Sequence, residues 1–493
     1  MSVNEKTDNH PGGSSVPASG LVSSLGPTPD ASLRLPLLAL FGGAALWLVA
    51  GSALALIASI KFHAPDFLAD DPLLTYGRVQ PAADDALLYG FCLPAGLGVT
   101  LWLLAHLGRT PIRGAVVPLV AANLWHVGVF IGILSILGGD STGFRWLEFP
   151  RAGSVVLFFA YLLLALWATM NFAGRRERLL YPSHWFLVAA LFWFPWIYST
   201  ANLFLVAWPV RGIVQFVINS WFANNLLLIW PGLVGIGTAF YFLPKFAGRP
   251  LRSYYLALYA FWTLILFGSW CGIPPGAPVP AWLPAASSFA ALLTLVPVIA
   301  VGLVMVQTLR GGEKAAFAGG PFCFIRFGLG SFLLATLMLI VTECPGMSRV
   351  TAFTWFGPAQ TGLQLLGFFA MTVFGAIYYL LPRVVGFEWP FPKLVRAQFW
   401  FSAAGIVLFV VPLAVGGLVQ GTKLSRPEIA FLDAVGAMLP FLRASTTGLL
   451  LLFIGNLLFA ANIFGLTLVW KWSLLKPALA AGRAAFQSAE VKA

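Results

Sequence analysis

The side chains able to hold a metal, carry a proton or attack an electrophile are sparse in this sequence of 493 residues, which has 5 His, 4 Cys and 17 Asp and Glu. Cys92, Cys271, Cys323 and Cys344 are too dispersed for the close ligand pairs of a zinc site or for a disulfide framework. No Cys-x-x-Cys-His string occurs, so covalent attachment of a c-type haem within this chain is excluded. Imidazoles are the usual ligands of iron and copper in helix bundles. Here His10 lies in a polar N-terminal stretch, His63 in a predicted outer loop, and His106 and His184 at predicted helix ends. Only His126, in NLWHVGVF, falls near the middle of an apolar run. It reads either as a hydrogen-bonded packing residue or as a ligand, and alone it cannot supply two axial ligands. Met170, Met305, Met338 and Met371 are soft atoms in apolar helices, where Met mostly fills gaps. Ionisable groups within the hydrocarbon are functional by default because they are costly there. Nearly every Asp and Glu falls in a predicted loop, so no buried carboxylate relay is expected. Glu343, in TECPGMS, is the exception; it belongs either at the interface or in a water-filled or partner-facing cleft.

The elements that position these groups follow from composition. Hydrophobic residues make up 59% and charged residues 9% of the chain, and mean hydropathy is +0.87. A soluble protein carries about a quarter of its residues as charges; this chain is instead an all-α integral membrane protein. Its net charge of +12 comes from singly scattered Lys and Arg, with no basic stripe for nucleic acid. A bilayer core about 30 Å thick needs roughly 20 apolar residues per helix. Runs of that length predict about twelve crossings, near 36–60, 86–108, 115–137, 153–173, 183–208, 213–243, 253–272, 281–308, 323–342, 356–381, 397–420 and 441–470. Three regions result: a disordered polar cytoplasmic tail over 1–34, a twelve-helix membrane domain over 35–472 and a basic cytoplasmic tail over 473–493. The first long apolar run starts near Pro36, too late for a cleavable signal peptide. With the N-terminus inside, the predicted inner loops GRTPIRG, GRRERLLYP, PKFAGRPLRS, RGGEKAAFAGGPFCFIR and PRVVGFEWPFPKLVR are all net basic. The first outer loop holds Asp66, Asp70, Asp71, Asp84 and Asp85. Both termini are then cytoplasmic.

Several strings, in order over about residues 70–465, resemble subunit I of the cbb3-type cytochrome c oxidases, the C family of the haem-copper oxidase superfamily. They are LTYGRVQP, FYFLPKFAGRPLRSYYL, AFWTLIL, TECPGMS, FGAIYYLLPRVVG and GGLVQG, and they retain Arg78, Glu343 and Arg383. The resemblance implies the subunit I helix bundle, haem b, haem b3 and copper. It also places ligand positions on this chain. The haem-ligand positions are occupied by Ala83, Gln360 and Gly362, and the copper-ligand positions by Asn224, Pro274 and Pro275. Gly268 stands where the family has a cross-linked tyrosine. Ala and Gly have no ligating atom, Pro offers no side-chain lone pair, and amide oxygen suits these metals poorly. Bulky neighbours such as Trp221, Phe222, Trp230, Phe368 and Phe369 are candidates to fill vacated space.

These readings predict a degenerate relative of the catalytic subunit, binding no cofactor, that serves as a scaffold or accessory subunit of a respiratory complex. Its expected partners are other membrane subunits, c-type cytochromes among them, and the lipid bilayer; no nucleic acid is expected. The expected location is the bacterial cytoplasmic membrane. Two alternatives compete: an active oxidase or nitric oxide reductase with non-standard ligands, His126 among them, and a transporter or proton-conducting module on the same bundle. Intramembrane Asn residues favour helix gluing over transport, and no inverted repeat of broken helices supports a transporter.

Overall fold

The computed structural model describes residues 29–109, 112–310 and 320–490. Among these, eleven helices are long and apolar enough to cross a membrane, and the shorter apolar helix Tyr254–Gly268 supplies a twelfth segment. In chain order they are α1 (Pro29–Lys61), α2 (Tyr76–Leu107), α3 (Val116–Gly138), α4 (Arg151–Ala173), α5 (Pro182–Ala207) and α6 (Val214–Ala247). There follow α7 (Tyr254–Gly268), α8 (Trp282–Leu309), α9 (Gly320–Glu343), α10 (Phe356–Val385), α11 (Pro392–Leu424) and α12 (Leu439–Glu490). No strand occurs among the described residues. The expected twelve-helix architecture is thus present, with one boundary of consequence displaced. Helix α2 starts at Tyr76, so Asp84 and Asp85 are helical rather than loop residues. Helix α12 runs on through residues expected to form a tail. Residues 1–28 of the other expected tail, and 311–319 of the fourth predicted inner loop, lie outside the described residues.

Three helices form the centre. In α2, α6 and α10 the most apolar stretch is 94%, 94% and 83% buried, against 50% or less in the other eight long helices. A helix apolar all round is stable only when surrounded, and these three are surrounded by protein while the rest turn one face to lipid. They also share a construction. Each contains a π-helical stretch, beginning at Ala86, Asn225 and Leu363. At equal spacing beyond lie an aromatic residue (Trp102, Tyr241, Tyr379), then a basic one (His106, Lys245, Arg383), then a residue of positive φ (Arg109, 46°; Gly248, 63°; Gly386, 83°). The Lys245 and Arg383 side chains offset the negative ends of the α6 and α10 dipoles. Their rings and charges also meet: Trp102 stacks on His106 at 4.7 Å, Lys245 lies 5.6 and 5.7 Å from the Tyr241 and Tyr379 rings, and Arg383 lies 3.5 Å over Tyr379. One cation–aromatic cluster therefore ties the three central helices together at the end predicted to face the cytoplasm.

Candidate functional site

Two adjoining cavities interrupt the packing around these helices. The larger, about 590 Å³, is walled by α1, α2, α10, α11 and α12, and Ala83 and Gly362 face it from opposite sides. The smaller, about 240 Å³, is lined by Asn224, Gln360, Gln364 and Asn219. Arg145, Trp146 and Thr361 border both. The π-helical stretches sit beside these positions: Ala86–Cys92 follows Ala83, Asn225–Ile229 follows Asn224 and Leu363–Ala370 follows Gly362. A π turn inserts a residue and re-aims side chains, and such turns are frequent at functional sites.

The larger cavity is apolar in its depth, with Leu48, Leu87, Leu365, Phe409 and Leu452 on its walls. Its rim is acidic. Asp84 lines it from α2, accepting from the Gln80 side-chain amide at 2.9 Å. Glu148 lines it from the α3–α4 connection, its residue only 5% exposed. Asp85, fully buried, places its carboxyl against that of Glu148. Burial and the neighbouring Asp84 carboxylate push the Glu148 carboxyl up to about 7. Arg145, the sole cation on the rim, is solvent-exposed and lies 5.3 Å over the Trp146 ring. Sequence reading missed this cluster: it took Asp84 and Asp85 for loop residues, and Glu148 approaches them from a distant part of the chain. A buried carboxylate grouping is therefore present where none was expected.

In the smaller cavity, Asn224 is a structural tie. Its Nδ2 donates to the Gly268 carbonyl at 2.8 Å, and a Cβ at Gly272 would overlap Asn224. The two positions that the resemblance assigns to copper ligation and to the tyrosine are thus joined by a helix–helix hydrogen bond. Gln364, 2% exposed, has neither amide atom partnered within the protein. Pro274 and Pro275 lie in the loop after α7, and neither borders either of these two cavities. At position 362 a Cβ would come within 2.5 Å of the Phe409 ring, so Phe409 occupies the path of any longer side chain there.

The other sequence candidates are scattered. The His126 ring packs into the notch left by Gly43 of α1 and borders neither cavity. Arg78 donates to the Leu137 carbonyl at 3.2 Å, closing α2 onto the end of α3. Glu343 is buried and accepts from Ser287 Oγ at 3.5 Å, and Ser287 Oγ accepts the Ile273 N–H at 3.0 Å. Arg383 belongs to the cation–aromatic cluster. Phe222, Trp230, Phe368 and Phe369 are fully buried, yet they fill notches between the central helices: a Cβ at Gly96 would lie 2.8 Å from both Phe369 and Trp230. They border neither cavity.

The sequence profile for cytochrome c and quinol oxidase polypeptide I matches residues 36–451, and the chain belongs to that family. It is 22% identical over 444 residues to a cytochrome c oxidase subunit 1 homolog of Azorhizobium caulinodans, covering 85% of this chain and 80% of that one. It is 23% identical to a cbb3-type cytochrome c oxidase subunit of Stutzerimonas stutzeri, covering 76% and 81%. Its fold superimposes on a heme-copper terminal oxidase with a TM-score of 0.71 at 16% identity, over 88% and 84% of the two chains. The chain is thus a multi-pass membrane protein of a bacterial oxidase family, resembling subunit I of the cbb3 type.

Family membership corrects one expectation. The substitution of six ligand positions predicted a chain without cofactor, but the family is one of haem- and copper-binding oxidases. Substituted ligands at particular positions do not amount to absence of a cofactor. The positions that the resemblance assigns to ligands do not by themselves fit a haem or a copper ion. Ala83 and Gly362 present no ligating atom, and Asn224 offers only a neutral amide oxygen, its Nδ2 donating to the Gly268 carbonyl. Among the described residues no group of three His, Cys, Asp or Glu is arranged to hold a metal.

Proposed function

We propose that this chain is a non-catalytic core subunit of a respiratory oxidase complex in the bacterial cytoplasmic membrane. It uses the subunit I bundle to seat other subunits, cytochromes among them, and does not itself reduce oxygen. Its N- and C-termini are cytoplasmic. The observation that carries this reading is the Asn224–Gly268 hydrogen bond. At the position the resemblance assigns to a copper ligand, the side chain serves helix packing. The bond joins α6 to the end of α7 and fixes the Asn224 amide in a packing role, at a position that carries no imidazole. The retained parts serve structure as well: Arg78 closes α2 onto α3, and Arg383, Lys245 and the aromatic residues lock the central trio.

The test is purification of the tagged chain from its native membrane in a mild detergent. The purified assembly is assayed for covalently bound haem on companion polypeptides, and oxygen uptake with reduced cytochrome c is measured for the chain alone and for the assembly. The expected result is co-purification of haem c-bearing subunits, with no oxygen uptake by the chain alone. Oxygen reduction by the chain alone would overturn the proposal, as would purification free of any respiratory subunit.

A further inference from the structure

The larger cavity has the dimensions and polarity of a ligand site. At about 590 Å³ it has room for roughly 20 non-hydrogen atoms, taking about 30 Å³ for each. Its depth is lined by Leu48, Leu87, Leu365, Phe409 and Leu452, while Asp84 and Glu148 stand at one end. Glu148 is 5% exposed, and its Oε2 has no hydrogen-bond partner within the protein. Behind it lies the fully buried Asp85 carboxyl, which faces that of Glu148. Arg145 attracts both Asp84 and Glu148 from a solvent-exposed position, where screening weakens its charge. Asp84 and Glu148 line the cavity and Asp85 backs them; even with one proton held between Asp85 and Glu148, these three carboxyls and the one guanidinium retain one negative charge. Buried charge of this kind is stable only with a counter-charge.

We propose that this cavity binds an amphiphilic cation: an apolar body lodged between α2, α10, α11 and α12, and an ammonium head donating hydrogen bonds to Glu148 and Asp84. The apolar wall excludes a fully polar cation, and the acidic rim excludes a fatty acid. This inference does not depend on whether the chain is catalytic; it depends on the shape and charge of the cavity.

The experiment uses the full chain in phosphatidylcholine nanodiscs, with empty nanodiscs as the reference for partition into lipid. Dodecylamine, dodecanol and dodecanoate are titrated at neutral pH and binding is read by calorimetry. Dodecylamine is expected to bind at least tenfold more tightly than dodecanol, with dodecanoate weakest. In the double variant Asp84→Asn, Glu148→Gln, dodecylamine is expected to fall to the affinity of dodecanol. In Ala83→Phe, which narrows the cavity, dodecylamine is expected to bind at least tenfold more weakly than to the unaltered protein. If either variant fails to fold, the ranking of the three probes on the unaltered protein decides the matter. Equal binding of the three, preference for dodecanoate, no binding above empty nanodiscs, or a stoichiometric haem in the preparation that excludes the amine would each overturn the proposal.

Discussion

At the scale of single residues, side chains at the candidate positions have taken on structural work, and that work is measurable. Asn224, 8% exposed, bonds the Gly268 carbonyl. Asn224→Ala is expected to lower stability by about 1–2 kcal/mol, the usual cost of losing a buried hydrogen bond, as read by thermal unfolding in detergent. Gly362→Ala would place its Cβ 2.5 Å from the Phe409 ring. Overpacking of that kind costs about 1–3 kcal/mol. Adding Phe409→Leu should restore most of the loss, and a double-mutant cycle that shows simple additivity would refute the contact. Glu148 adds a pH dependence. Burial and Asp84 raise its carboxyl to about 7 from an ordinary 4.5. The folded protein therefore binds this proton more tightly than the unfolded chain does. The stabilisation from that proton is complete below about pH 4.5 and is lost as pH rises through about 7. Over that window the unaltered protein should lose about 1–3 kcal/mol that Glu148→Gln retains. Parallel profiles of melting temperature against pH for the two proteins would dismiss the effect.

At the scale of elements, α11 and α12 meet through glycine. A Cβ at Gly448 would lie 2.5 Å from the Phe409 amide nitrogen and 2.7 Å from the Leu408 carbonyl carbon, and a Cβ at Gly405 would lie 2.9 Å from the Gly448 carbonyl oxygen. Backbone cannot yield as a flexible side chain can, so the helices must separate; small residues at membrane helix contacts serve this close approach. Gly448→Ala is expected to destabilise by about 2 kcal/mol or more. Gly330→Ala on α9, where nothing lies within 4 Å, should be neutral or slightly stabilising. Similar melting temperatures for the two variants would contradict this account. The helices themselves were legible because apolar runs must match the bilayer. The start of α2 was not: a helix can continue past the apolar run, and Asp84 and Asp85 looked like loop because they are polar. Their pairing with Glu148 is a long-range contact with no local signal. The π-helical stretches likewise leave no mark in hydropathy. The shared construction of α6 and α10 was visible in FYFLPKFAG and IYYLLPRVVG, where Tyr, Pro, a basic residue and Gly recur at equal spacing. Trp102, His106 and Arg109 take up the same pattern in α2, with Ala105 in place of Pro.

At the scale of the whole molecule, the charges of the connections predict which face meets the cytoplasm. The connection from α4 to α5 carries Arg175, Arg176 and Arg178 against Glu177 alone, and the connection from α6 to α7 carries Arg249 and Arg252. Opposite them, the α1–α2 connection holds Asp66, Asp70 and Asp71, and the α3–α4 connection holds Asp140 and Glu148 beside Arg145. Short basic connections are retained on the cytoplasmic side during insertion, so the first pair should lie inside and the second outside. The cation–aromatic cluster of His106, Lys245 and Arg383 is then cytoplasmic, and the acidic cavity rim opens toward the outer face. The test takes a Cys344→Ser background, because Cys344 is exposed, and adds one cysteine at an exposed position, Ser141→Cys or Arg178→Cys. A membrane-impermeant maleimide applied to intact spheroplasts should label Ser141→Cys at once and Arg178→Cys only after lysis. The reverse pattern would invert the molecule and would turn the Asp84 and Glu148 rim toward the cytoplasm. Any cytochrome seated over that rim would then have to be cytoplasmic, which would remove the basis for assigning it outer-face partners.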